Sequence, residues 1–93
     1  MNEELKSWND FEKELDITPE QEEEIRLEME IIEATINARK KLNLTQRELS
    51  KRSGVKQPVI ARIEKCVNSP QTNTLIKILY SMGYTLRVVP LDK

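Results

Sequence analysis

A three-residue connection, Gly54-Val55-Lys56, separates two short stretches of helical periodicity, and no other feature of this 93-residue chain constrains its fold as tightly. Thr45 is placed to cap the first stretch, which runs through Ser53 with Leu49 inward and Gln46, Arg47, Lys51 and Arg52 outward. The second runs from about Gln57 to Lys65, tolerates Pro58 in its first turn and has Val59, Ile60 and Ile63 as apolar positions. So sharp a connection calls for a positive φ, which glycine adopts without steric cost. Gly54 is therefore expected at the corner between two short helices.

The flanks extend this pattern. Thr18-Pro19-Glu20-Gln21 reads as a helix start, with Thr18 as N-cap, Pro19 at the first helical position and Gln21 at the capping-box position. From there Ile25, Met29, Ile32, Ile36 and Arg39 share one face of a helix of about six turns. Further upstream, Leu5, Trp8, Phe11 and Leu15 recur at helical spacing, so residues 3–14 read as an amphipathic helix within an arm over 1–17. Downstream, Asn68-Ser69-Pro70 marks a loop. Residues 72–82 follow as a helix with Leu75, Ile76, Ile78, Leu79 and Met82 apolar, and Gly83 lies just past its end. Tyr84 to Val89 is rich in strand-forming residues and stops at Pro90. The expected architecture is mostly α: a helical bundle over 18–83 containing the helix-turn-helix at 45–65, with an N-terminal helical extension and one C-terminal β-strand over 84–90. A lone strand has no partner in its own chain, so the same segment of a second copy is expected to pair with it and form a homodimer.

Charge divides the chain. Residues 1–36 carry 13 acidic and three basic side chains, net −10, whereas residues 37–93 carry 12 basic and three acidic ones, net +9. Such blocks imply two partners of opposite sign, a polyanion for the basic part and a cationic surface for the acidic part. With no histidine and only Cys66 as a thiol, the usual zinc sets, Cys–His or Ser–His pairs and disulfides are excluded. No catalytic residue, metal ligand or cofactor is expected. No apolar run of about 18 residues is present and the N-terminus is acidic, so a cytoplasmic protein without membrane contact is expected.

The string from Thr45 to Glu64, TQRELSKRSGVKQPVIARIE, resembles the Cro/C1-type (XRE-like) helix-turn-helix, and nearly every fixed position of that pattern matches. The resemblance implies that the helix after Gly54 enters the DNA major groove while the one before it lies across the backbone. Carried over by position, Lys56, Gln57 and Arg62 face base edges, and Pro58 and Val59 offer apolar contact to thymine methyls. Gln46, Arg47, Lys65 and Asn68 are then assigned to phosphates. Arg39 and Glu64 align with a buried ion pair of the family and are assigned to structure. Two positions depart from the pattern: Cys66 stands where glycine is usual, at a cost of about 1 kcal/mol or a shifted helix end, and Lys56 replaces a Ser/Thr cap.

Together with Thr18-Pro19-Glu20, the acidic helix running into Ala38-Arg39-Lys40-Lys41 and the segment Met82-Gly83-Tyr84-Thr85-Leu86, the chain resembles HigA-type antitoxins of toxin–antitoxin modules. That resemblance implies an antitoxin that silences a small basic RelE/HigB-like mRNA interferase and represses its own operon by binding operator double-stranded DNA as a dimer. Leu5, Trp8, Phe11 and Leu15 would be the apolar anchors for the toxin on the acidic arm. The alternatives are a stand-alone phage-type regulator without a toxin partner and a protein-binding adaptor; the latter has little use for Lys56, Gln57 and Arg62.

Overall fold

The computed structural model describes residues 17–91. Helix α1 spans Pro19–Lys41, α2 Gln46–Ser53, α3 Gln57–Glu64 and α4 Thr72–Ser81. The arm over 1–17, with Leu5, Trp8, Phe11 and Leu15, lies outside the described residues except for Ile17.

Local chemistry sets the helix ends. Thr18 and Gln21 form a reciprocal capping box: the Gln21 N–H donates to Thr18 Oγ1 at 3.1 Å and the Thr18 N–H to Gln21 Oε1 at 3.0 Å. Thr45 and Glu48 repeat it at α2, at 3.0 and 2.8 Å. Gly54 closes α2 at φ 78°, and its N–H donates to the Ser50 carbonyl. The other three helices end in a left-handed residue, Asn43 at φ 58°, Cys66 at φ 60° and Gly83 at φ 87°. Each is flanked by the paired backbone bonds of a Schellman cap; after α3 these run from the Cys66 N–H to the Ile63 carbonyl and from the Val67 N–H to the Arg62 carbonyl. Cys66 thus takes the backbone conformation of the glycine it replaces. Lys65 and Met82 are C-caps rather than last helical residues.

Helix α2 packs on α3 and α4, and α1 packs on α3. Their shared core is Ile32, Ala38, Leu49, Val55, Ile60, Ile63, Ile78, Leu79 and Met82, with Ile36, Leu44 and Val59 against its edge. The apolar face expected from Ile25 to Ile36 is buried only from Ile32 onward; Ile25 and Met29 remain 53% and 47% exposed. Geometry explains this: the 23 residues of α1 reach about 34 Å, whereas helices of 8 to 10 residues reach about 12–15 Å and leave its first half uncovered. Ile76 is likewise half exposed.

The expected C-terminal β-strand is overturned. Among the described residues there is no strand, and 84–91 has no regular secondary structure. Strand propensity measures how well a side chain fits a pleated surface, and without a neighbouring strand to share its backbone bonds, Tyr84 to Val89 has no ladder to join.

Candidate nucleic-acid interface

Helices α2 and α3 meet at the Gly54 corner, and their shared outer surface carries the residues singled out from the sequence. Leu49, Val55, Ile60 and Ile63 turn into the core. That leaves Arg47, Lys56, Gln57, Pro58, Arg62, Lys65 and Asn68 exposed, with Gln46 and Val59 half-buried. Val59, Arg62, Asn68, Ser69, Pro70 and Thr74 line a shallow cleft between α3, the loop after it and α4.

Electrostatically this surface is one-sided. Arg47, Lys51, Arg52, Lys56, Arg62 and Lys65 make no ion pair with any described residue. The two carboxylates nearby are already engaged. Glu48 is held by the Thr45 backbone N–H and hydroxyl and by the charge of Lys51, which lower its pKa. Glu64 is tied to Arg39, with Arg39 Nε donating to Oε2 at 2.7 Å and Nη2 to Oε1 at 2.9 Å. The third branch of that guanidinium donates to the Leu44 carbonyl at 2.8 Å. Both side chains are largely buried. Burial pushes the Glu64 carboxyl up, but hydrogen bonds from Arg39 and Gln46 and the charges of Arg39 and Lys40 hold it below its ordinary value. The hydrogen bond to Glu64 raises Arg39 despite its own desolvation.

A polar relay runs from this pair to the outer surface. Gln46 Nε2 donates to Glu64 Oε1 at 2.9 Å, and Gln57 Nε2 donates to Gln46 Oε1 at 2.8 Å. An amide nitrogen carries two hydrogens, so Gln46 keeps one donor, while Gln57 keeps one donor and its carbonyl. Such a donor–acceptor pair matches the adenine edge in the major groove. Sequence reasoning placed Gln46 simply outward and missed the relay; the available signal was a glutamine at the first position of two consecutive helices. Lys56 is the N-cap of α3 and makes no side-chain capping bond, so its ammonium is not used there. Gln57 lies at the exposed start of α3, and Arg62 lies nearer its other end.

A recognition-type helix held at a glycine corner, with a basic face unpaired among the described residues, defines a DNA-binding module. The family model for the helix-turn-helix matches residues 36–89, and the chain belongs to that family. It is 44% identical, over 91% of its length and 86% of the relative's, to an uncharacterised HTH-type transcriptional regulator of Haemophilus influenzae. It is 36% identical over 59 residues to antitoxin HigA1 of Mycobacterium tuberculosis, of which it spans 40%. Among solved structures, a chain of a toxin–antitoxin module from Streptococcus pneumoniae superimposes with a TM-score of 0.71 at 42% identity, covering 97% of this chain and all of that one. The resemblance to HigA-type antitoxins read from the sequence holds in these comparisons. No helix among the described residues is long and apolar enough to cross a membrane.

Proposed function

We propose that the chain is an antitoxin that binds and neutralises a RelE/HigB-like mRNA interferase and represses its own operon. The observation that carries this reading is the end-to-end likeness to a chain of a toxin–antitoxin module. The open basic face of α2 and α3 supports the DNA-binding half of it. In this reading Lys56, Gln57 and Arg62 read base edges, Pro58 and Val59 meet thymine methyls, and Gln46, Arg47, Lys65 and Asn68 hold phosphates. A homodimer places two such faces on a palindromic operator about 34 Å apart. The net −10 of residues 1–36 draws the cationic toxin, and Leu5, Trp8, Phe11 and Leu15 supply the apolar grip. Both activities belong in the cytoplasm, where operator and mRNA are.

Co-expression with the small basic protein encoded beside it, followed by affinity purification and gel shifts on the upstream DNA, tests both halves. A stable complex and salt-sensitive retardation are expected. Arg62→Ala should relax recognition at one base position by about 1–3 kcal/mol, and Arg47→Ala should weaken all sequences alike. Retardation without any protein complex would favour the second reading, a stand-alone regulator, to which the Haemophilus relative's description also fits.

A further inference from the structure

We infer that Glu64, although its side chain is largely buried, decides which base Gln57 reads, as a positioning residue that acts through Gln46. Glu64 and Gln57 lie two turns apart on one face of α3, about 10 Å along the helix axis and too far for direct contact. Gln46, at the start of α2, spans the gap. Its Nε2 donates to Glu64 Oε1 at 2.9 Å, and its Oε1 accepts from Gln57 Nε2 at 2.8 Å.

Chemistry fixes the direction of this chain of bonds. A carboxylate only accepts, so Gln46 must turn its amide nitrogen to Glu64 and its carbonyl to Gln57. Gln57 must then answer with its own nitrogen, which leaves its carbonyl and one N–H for a base. That pair matches adenine, whose N7 accepts and whose N6 amino group donates. Reversing both amides would leave Gln57 two outward donors, which suit the O6 and N7 acceptors of guanine, but it would set the Gln46 carbonyl against the Glu64 carboxylate. Nor is the carboxylate free to turn away. Arg39 holds both of its oxygens, Nε to Oε2 at 2.7 Å and Nη2 to Oε1 at 2.9 Å, and is itself anchored to the Leu44 carbonyl at 2.8 Å. Burial raises the Glu64 carboxyl, but the hydrogen bonds from Arg39 and Gln46 and the charges of Arg39 and Lys40 hold it below its ordinary value, so at neutral pH it offers acceptors only. The inference rests on the reading of Gln57 as a base-contacting residue and adds the residue that orients it.

The test selects bound sequences from a randomised duplex DNA library with the full chain and reads the ratio of adenine to guanine at each base step. A ratio does not depend on the folded fraction, so a loss of stability alone does not move it. Gln57→Ala marks the step that Gln57 reads. At that step Glu64→Gln, whose amide can donate to Gln46 and so admits the reversed orientation, should lower the ratio at least about fivefold, while the step read by Arg62 keeps its preference. Gln46→Ala should lower it similarly, and adding Glu64→Gln to Gln46→Ala should lower it no further. Ile32→Ala, which weakens the core without touching these amides, should leave it unchanged. An unchanged ratio in Glu64→Gln, a further fall in the double variant or an equal fall in Ile32→Ala overturns the inference and leaves the DNA reading standing. Enriched sequences without a preference for adenine at the Gln57 step do the same. A wild type that enriches no sequence overturns the inference and the DNA reading together.

Discussion

The two halves of α1 share one periodicity and one ladder of backbone bonds, yet they live in different surroundings. Toward the C-terminus Ile32 and Ala38 are buried, and Arg39 is locked onto Glu64 and the Leu44 carbonyl. Toward the N-terminus Ile25, Leu27 and Met29 are exposed, and the ion pairs Arg26–Glu23 and Arg26–Glu30 join side chains of the same helix in solvent. The first half therefore depends on local devices: the Thr18 capping box, Pro19 and carboxylates at the positive end of the helix dipole. The second half depends on contacts with residues far along the chain. An apolar stripe at helical spacing thus reports a helix, but only an opposing surface turns the stripe into core.

The sharpest way to break this contrast is to cut the link at Arg39. Arg39→Ala leaves the Glu64 carboxylate buried without its partner and should lower the free energy of unfolding by about 3–5 kcal/mol in urea titrations. Arg26→Ala should leave the urea midpoint where it is, because a solvent-exposed pair contributes little. Equal losses would erase the distinction. Next in size, Ile32→Ala should cost about 2–4 kcal/mol through the cavity it opens, whereas Ile25→Ala should have little effect on thermal unfolding. A large loss at Ile25 would mean that the N-terminal half of α1 is covered in solution.

Acid sharpens the same comparison. The folded-state pKa of Glu64 lies below its ordinary value of 4.5, so its stabilisation is complete above that value and is lost as pH falls through the folded value. Stability of the wild type should therefore fall more steeply below pH 4.5 than that of Glu64→Gln, as read from thermal midpoints across the acid range. A Glu64→Gln profile parallel to the wild type would show that the pair contributes nothing to the pH dependence. A smaller change, of opposite sign, is expected at Cys66, whose backbone sits at φ 60°. Cys66→Gly should raise stability by about 1 kcal/mol, and a loss instead would indicate that the thiol makes a stabilising contact.

Much of the candidate interface was legible because it is built from local rules. Thr45, Gly54 and Pro58 mark helix ends by their own conformational preferences, and Leu49, Ile60 and Ile63 follow helical spacing. The Gln46 relay was not legible, because it joins side chains 11 and 18 positions apart and depends on the angle at which α2 meets α3. The strand expected over 84–90 failed for a related reason: a strand exists only as one side of a backbone ladder, and the other side is not encoded in the propensity of Leu86, Val88 or Val89.

By itself the sequence determined where helices begin and stop and which outer side chains of α2 and α3 are basic, because caps, φ preferences and periodicity act within a few residues. Tertiary structure alone decided which part of the apolar face of α1 is core, which donors Gln46 and Gln57 keep for a partner, and that Tyr80 and Val88 remain uncovered. Burial and side-chain hydrogen bonding depend on the opposing surface, and segments distant in sequence supply that surface only once the helices have packed.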